Sequence, residues 1–279
     1  MTFSGAAIVA GVAGWPIKHS RSPRIHNYWL RKYEIDGVYV PFAIDPDGAH
    51  DAFRAIPSLG ISGMNVTVPH KETAFKAMDE VDRWAQRLKA VNTIVVRDGA
   101  LYGANTDAYG FLESLRESHP GWRADAGPVV VLGAGGAARA IVAGLQDAGA
   151  PDIRIANRTM SRADALQDEF GDPVRAVDWN SRADALVGAA LLVNTTSLGM
   201  EGQPRLDIAL DALPPDAVVY DIVYVPLETP LLASARARGN PAIDGLGMLL
   251  HQARPGFRDW FGSDPQVDQV LRDHVLEAL

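Results

Sequence analysis

The first half of the chain carries four separated sets of polar side chains: Ser20 with Ser22; Asn65, Thr67 and Lys71; Asn92; and Asn105, Thr106 and Asp107. Together they offer hydroxyl, amide, ammonium and carboxylate groups. His19 and His26 are not an i, i+4 pair and the seven histidines are scattered, so no metal site is expected. The inventory suits a small polyhydroxylated substrate, because a site built to hydrogen-bond hydroxyls rejects analogues that leave its donors and acceptors unpaired. Each residue also has a purely structural reading: Ser22 as a helix N-cap, Asn92 as a turn residue, Asp107 as a helix cap, Lys71 as a solvated cation.

A second chemistry is written between Pro128 and Ala140, PVVVLGAGGAARA. Val129 to Leu132 have no polar position, the pattern of a strand buried on both faces. Gly133, Gly135 and Ala138 then fill Gly-x-Gly-x-x-Ala. The first glycine permits the turn, the second lets backbone approach a pyrophosphate, and the small third residue lets helix pack on strand. A helix N-terminus would face the phosphates. Where an NAD-binding domain would place an acid for the ribose 2′-hydroxyl, about 20 residues on, this chain has Asn157-Arg158-Thr159-Met160-Ser161-Arg162. Two guanidinium groups and a hydroxyl suit a 2′-phosphate, which favours NADP. Thr159 or Ser161 also reads as the cap of the next helix.

These groups need elements to position them. Ala6–Ala13 reads as a strand, Ser22 and Pro23 as the N-cap and first residue of a helix to Lys32, Val38–Phe42 as a strand and Asp47–Ala55 as a helix. This βαβα alternation implies parallel strands. Gly63 to Pro69 is a third strand, stopped by its proline just before Lys71. Asn92 to Gly103 is a hairpin about Asp98-Gly99, which gives the first sheet an antiparallel member. A helix follows Asp107, with a domain boundary near Ala108. Beyond the glycine turn, strands are expected at Asp152–Ala156, Leu191–Asn194 and Val218–Asp221, with helices between them, although 194–200 reads as a glycine-bearing loop and 201–216 is loop-rich. Helices are also expected from Asp244 to Phe261 and from Val267 to Leu276. Pro255-Gly256 predicts a kink one turn beyond Gln252.

The fold class is therefore α/β in two domains, and 279 residues with 47% hydrophobic content can build both cores. A net charge of −8 argues against a nucleic-acid surface. The absence of cysteine excludes a disulfide framework, a thiolate metal site and a nucleophilic thiol, and suits a cytoplasmic protein. No apolar run reaches the roughly 18 residues that cross a membrane. No basic segment precedes Ala6–Ala13, so a signal peptide is not expected.

The motifs join into a resemblance. Gly14-x-Pro16-Ile17-x-His19-Ser20-x-Ser22-Pro23-x-Ile25-His26, Asn65-Val66-Thr67-Val68-Pro69-x-Lys71, Ala90-Val91-Asn92-Thr93, Gly103-x-Asn105-Thr106-Asp107, Gly133-Ala134-Gly135-Gly136-Ala137, Asn157-Arg158-Thr159 and Asp244-Gly245-Leu246-Gly247-Met248-Leu249 resemble, in order, the shikimate/quinate dehydrogenase family. The resemblance implies reversible NADP-dependent reduction of 3-dehydroshikimate to shikimate, in aromatic amino-acid biosynthesis. It implies a mixed-sheet substrate domain over 1–107 plus 246–279, to which the C-terminal helices return, a Rossmann-like NADP domain over 108–245, and a site in the cleft between them. Lys71 and Asp107 would be the catalytic pair, Ser20 and Ser22 would bind the substrate carboxylate, and Asn65, Thr67, Asn92, Asp107 and Gln252 the ring hydroxyls. Gly133, Gly135, Gly136 and Ala137 would face the pyrophosphate, and Asn157, Arg158, Thr159 and Arg162 the 2′-phosphate. Thr196, Tyr224, Gly245 and Met248 would lie near the nicotinamide. The partner would be a small-molecule substrate, with no nucleic acid or membrane, in a monomer or homodimer. The competing readings are a quinate/shikimate dehydrogenase using NAD and a non-catalytic dinucleotide sensor.

Overall fold

The computed structural model describes residues 3–277; the two outermost residues at each end, included in the expected extent of the first domain, lie outside that range. Strands β1 (Ile8–Gly14), β2 (Gly37–Ala43) and β3 (Gly63–Val66) are connected through helices α1 (Ser22–Lys32) and α2 (Ala49–Ala55). β1 pairs in parallel with both β2 and β3, as crossover helices require. The next segment holds α3 (Lys71–Ala77), β4 (Glu80–Val81) and α4 (Arg83–Leu88), elements too short to announce themselves by periodicity. Then β5 (Thr93–Arg97) and β6 (Ala100–Ala104) form the expected antiparallel hairpin. Asp98 and Gly99 turn it with φ of 51° and 80°, a turn whose twist matches that of the strands. The sheet order is β2-β1-β3-β5-β6-β4.

Three local expectations are corrected. Ser22 is not the N-cap of α1: Arg21 holds that position without a side-chain cap bond, and Ser22 begins the helix. α2 starts at Ala49, because Asp45 accepts from the Asp47 N–H at 3.0 Å and draws Pro46–Gly48 into a 3-10 turn. β3 ends at Val66, three residues before Pro69, and leaves Thr67 in the loop.

The second sheet is parallel throughout. α5 (Asp107–Ser118) leads to β7 (Val129–Leu132), α6 (Gly136–Asp147), β8 (Ile153–Asn157), α7 (Met160–Phe170), β9 (Val174–Asp178), β10 (Leu191–Asn194), β11 (Val218–Asp221), α8 (Pro230–Ala237) and β12 (Ala242–Ile243). The order is β12-β11-β10-β7-β8-β9. Val129 and Val131 enter the core that covers one face, with Leu191, Val193 and Tyr220. Val130 and Leu132 enter the core that covers the other, with Leu192 and Val219. Both faces are dry, which is why these strands show no polar alternation. α6 closes the first core with Ala138, Ile141, Val142 and Leu145, spaced i, i+3, i+4, i+7 along one stripe. Each such fully buried valine, leucine or isoleucine contributes about 1.5–3 kcal/mol.

No helix lies between β10 and β11 among the described residues, in keeping with the loop-rich sequence of 201–216. Residues 195–217 run as loop and turns, yet Leu206, Leu210 and Leu213 are buried in the second core. Pro204, Pro214 and Pro215 interrupt helical hydrogen bonding while leaving the leucines free to plug the sheet.

The chain then enters α9 (Leu246–Phe261) and α10 (Gln269–Leu276). By its contacts the molecule divides into two compact units: one runs to Thr106 and resumes at Leu250, the other spans Asp107–Leu249. The C-terminal helices thus complete the first unit. There Phe257 and Trp260 of α9 join His26, Trp29 and Tyr39 in an aromatic cluster, with the His26 and Tyr39 rings stacked at 4.0 Å and 7°. Trp260 Nε1 donates to the Ile94 carbonyl at 2.9 Å, and Trp29 Nε1 to that of Gln266 at 3.0 Å. Lys32 and Asp268 pair at 2.6 Å, but they are half-exposed, so the aromatic burial dominates. α9 continues through Pro255 rather than ending there. No helix among the described residues is long and apolar enough to cross a membrane. Replacing Trp260 with Ala should destabilise the first unit by about 3–5 kcal/mol, measured as a lowered midpoint in urea unfolding; an unchanged midpoint would show that α9 is dispensable to that core.

Candidate active site

In the first unit the polar sets converge because of strand direction. β1 and β3 are parallel, with Ala13 opposite Val66, so the loops carrying Ser20 and Lys71 leave the same edge. Pairing continues past the strands: the Thr67 N–H donates to the Ala13 carbonyl at 2.9 Å and the Trp15 N–H to that of Val68 at 3.1 Å. β5 runs antiparallel to β3, so the open end of the hairpin returns to this edge. The Val66 N–H donates to the Asn92 carbonyl at 2.8 Å, that of Asn92 to Ala104 at 3.0 Å, and that of Val91 to Lys71 at 2.9 Å. Residues more than 30 positions apart are thereby neighbours.

A buried hydrogen-bond chain links them. The Tyr39 hydroxyl donates to Asn65 Oδ1 at 2.6 Å. Asn65 Nδ2 donates to the Asn92 carbonyl and to Thr93 Oγ1, both at 3.2 Å. Thr93 Oγ1 and the Thr106 N–H both donate to Asn92 Oδ1, at 3.0 and 2.9 Å. Asn92 Nδ2 donates to Thr106 Oγ1 at 3.1 Å, and that hydroxyl donates to the Gln252 carbonyl at 2.8 Å. Burial pushes the Tyr39 pKa well up, with hydrogen bonding to Ser22 and Asn65 working against it, so the phenol stays protonated and is the donor. Burial also lowers His26 to about 3, against a smaller opposing effect of Asn65, so the ring stacked on Tyr39 is neutral. Tyr39 and Thr93 belong to this hydrogen-bond chain although they are in none of the polar sets singled out in the sequence. Tyr39 could have been found as the one polar group at an inward position of an otherwise apolar strand.

Of the remaining expected residues, Ser22 is buried at the start of α1, and its N–H donates to Ser20 Oγ at 3.4 Å. Ser20, Thr67, Lys71 and Gln252 are partly exposed, with Lys71 the first residue of α3. Asp107 opens α5 in the second unit. No group of three or more metal-ligating side chains occurs among the described residues.

The second unit forms a dinucleotide cradle at the carboxyl edge of its sheet. Gly133 follows β7 with φ of 111°, and a side chain there would meet Thr195 Oγ1 at 2.5 Å. Gly135 and Gly136 have the opposite character: nothing lies within 4 Å of where their side chains would stand, and α6 begins at Gly136 with its first N–H groups pointing outward. Ala137 is partly exposed and Ala138 buried. Open backbone at the start of a helix is room in which a phosphate group could approach. After β8, Asn157 Nδ2 donates to the Thr159 carbonyl at 2.8 Å. Thr159 is the N-cap of α7 but makes no side-chain cap bond, and the first turn of α7 holds no acid. Arg158 and Arg162 are exposed, and among the described residues neither guanidinium has a hydrogen-bond or ion-pair partner. Thr196 Oγ1 donates to Asn194 Oδ1 at 2.7 Å, and Tyr224 lies in the loop after β11. Gly245 is pressed against the Ile222 carbonyl, and Met248 is buried in the core; both lie inside this unit.

The fold and these two half-sites define a two-domain α/β protein of the dinucleotide-binding class. Residues 12–94 match the shikimate dehydrogenase substrate-binding domain and residues 118–199 the shikimate/quinate 5-dehydrogenase domain. The shikimate dehydrogenase (NADP(+)) of Paramagnetospirillum magneticum is 59% identical over 98% of this chain and 99% of its own. Among solved structures, shikimate 5-dehydrogenase from Thermus thermophilus in complex with NADP(H) and shikimate superposes with a TM-score of 0.87 at 36% identity, over 98% of this chain and 100% of that one. Quinate dehydrogenase from Corynebacterium glutamicum in complex with NAD superposes at 0.89 with 32% identity, over 97% and 99%. The chain belongs to the shikimate dehydrogenase family.

The contrast between the glycines is testable. Gly135→Ala should leave the melting temperature nearly unchanged while weakening dinucleotide binding by roughly tenfold or more, since the added methyl occupies only the cradle. Gly133→Ala should instead lower the melting temperature, because its side chain meets Thr195. Equal thermal losses in both variants would refute the cradle.

Proposed function

We propose that the protein is an NADP-dependent shikimate dehydrogenase, which interconverts 3-dehydroshikimate and shikimate by reversible hydride transfer. The observation that carries this reading is the full-length match to the shikimate dehydrogenase (NADP(+)) of P. magneticum. The cradle at Gly133, Gly135, Gly136 and Ala137 fits a pyrophosphate, and the exposed Arg158 and Arg162, unpartnered among the described residues, with Asn157 and Thr159, fit a 2′-phosphate. NADP supplies the hydride acceptor when bound. Its nicotinamide end would be received by Thr196, Tyr224, Gly245 and Met248.

The chain's own residues handle the proton and the substrate. A carbinol carbon gives up hydride only as its hydroxyl loses a proton, so the reaction needs an acid–base group that works in both directions. Lys71 and Asp107 fill that role in this proposal, with Ser20 and Ser22 on the substrate carboxylate. Thr67, Asn92 and Gln252 read the ring hydroxyls. Asn65 donates both amide hydrogens to protein and accepts from Tyr39, so it offers substrate only the second lone pair of Oδ1. Its larger part is to hold Asn92 still. The unit that runs to Thr106 and resumes at Leu250 is the substrate domain in this reading, and the unit over Asp107–Leu249 the NADP domain, in place of the expected bounds at 107/108 and 245/246. The enzyme works in the cytoplasm on a small molecule, as a monomer or homodimer, without nucleic acid, a reading its charge of −8 supports.

Steady-state assays of shikimate and quinate, each with NADP and NAD, test the activity: turnover should be fastest with shikimate and NADP, and a preference for quinate with NAD would overturn the assignment. Arg158→Leu should raise the NADP KM roughly ten- to hundredfold while sparing NAD, because a charge-assisted phosphate contact is worth about 1.5–3 kcal/mol. Lys71→Met should keep the fold and NADP affinity but lose about 10²- to 10⁴-fold in kcat. Near-normal kcat in that variant would leave Lys71 a binding residue only.

A further inference from the structure

The last residues of β7, β10 and β11 stand in one row, with Leu132 opposite Asn194 and Asn194 opposite Asp221. Asp221 is fully buried, and its carboxylate is surrounded by donors. It accepts from Asn194 Nδ2 at 2.9 Å, from the Val223 N–H at 3.1 Å and from Thr229 Oγ1 at 2.7 Å. Asn194 passes the restraint on: its Oδ1 accepts from the N–H and the hydroxyl of Thr196, at 3.0 and 2.7 Å, and its Nδ2 also donates to the Leu198 carbonyl at 3.1 Å. On the other flank Thr195 Oγ1 donates to the Leu132 carbonyl at 2.7 Å, beside Gly133.

We infer that Asp221, acting with Asn194 and Thr229, is a positioning residue for cofactor binding, which fixes the loop bearing Thr196 and the turn leading to Tyr224 in one arrangement. A buried carboxylate is a costly way to close a strand end, since burial works against its charge and raises its pKa. An apolar residue would serve the core better. What the carboxylate supplies is convergence: β10 and the turn after β11 are already joined by the Ile222 N–H donating to the Asn194 carbonyl at 3.1 Å, and the carboxylate gathers side-chain and backbone donors from both and adds the cap of α8 to them. Loops at strand carboxyl ends need such support, because a site displaced by about 1 Å loses much of its function. This inference rests on the reading of the second unit as the NADP domain.

The test compares two probes on the purified full chain: NADP, and adenosine 2′,5′-bisphosphate, which carries the 2′-phosphate but lacks the nicotinamide half. Asp221→Asn should weaken NADP binding by roughly tenfold and leave the bisphosphate within about twofold, as expected for loss of a group that orients first-contact residues. Shikimate KM should be little changed. Because Asp221→Asn can fail to fold, Thr229→Val provides a second variant. It removes one donor, at a cost to the α8 cap, and should show the same selectivity at about three- to fivefold, with Thr229→Ser restoring wild-type binding. Equal weakening of both probes in a folded variant would make the network merely structural, and unchanged NADP binding would equally overturn the positioning role. Wild-type protein that binds neither probe would overturn the cofactor reading itself.

Discussion

Parallel pairing governs where this chain can place chemistry. Strands that run the same way deliver all their carboxyl ends to one edge, and the loops that leave them have only that edge to share. In the second sheet Leu132, Asn194 and Asp221 end level, so the glycine turn, the Thr195–Thr196 loop and the Val223–Tyr224 turn emerge side by side. The crowding there explains why Gly133 admits no side chain: Thr195 occupies the space. In the first sheet β1 and β3 obey the same rule, and the antiparallel hairpin adds its open end, bringing Asn92 and Thr106 to residues that follow β3.

That arrangement forces polar groups into dry places, and the molecule meets the demand with closed networks. A buried donor or acceptor left unpaired costs about 1–3 kcal/mol. Asn65, Asn92, Thr93 and Thr106 in one unit, and Asn194, Asp221 and Thr229 in the other, are all buried and all hydrogen-bonded. A fully satisfied network has one low-energy arrangement, whereas a partly satisfied one has several. The same bonds that make burial tolerable therefore hold the donors and acceptors still before any ligand arrives.

The glycine turn was legible in the amino-acid sequence because its requirement is local: Gly133 needs a positive φ, and Gly135 and Gly136 need open space. The Asp98-Gly99 hairpin was legible for the same reason. Of the second sheet, β7, β8, β10 and β11 were legible from apolar runs and position, whereas the edge strands β9 and β12 were not expected, one because charges break it and the other because it has two residues. Ser22 was misplaced as a cap because Ser-Pro marks a helix start without saying which residue closes it, and here Arg21 does. The stretch between β10 and β11 was legible as loop-rich, but the burial of Leu206, Leu210 and Leu213 was not, because they fill a core formed by distant strands. Tyr39 and Asp221 stayed hidden for a related reason. Their importance lies in partners 26 and 27 positions away, and register, not composition, brings these together.

The two half-sites differ in how their specificity is built. Arg158, just before the cap of α7, and Arg162 in its first turn are exposed and tied to no other side chain among the described residues, so a change at either leaves the rest of the unit's bonds as they are. Asn65 and Asn92, the residues proposed to meet substrate, sit within a chain of bonds that runs from Tyr39 to the carbonyl of Gln252, so a change at any link reaches the others. Effects of distant, unshared contacts add, while those within one network do not. On the proposed roles, cofactor preference is accordingly separable from the fold and from substrate preference by few substitutions. Substrate preference on the same roles is bound to the packing of the first unit, and changing it means rebuilding the network together with the aromatic stack that supports Tyr39.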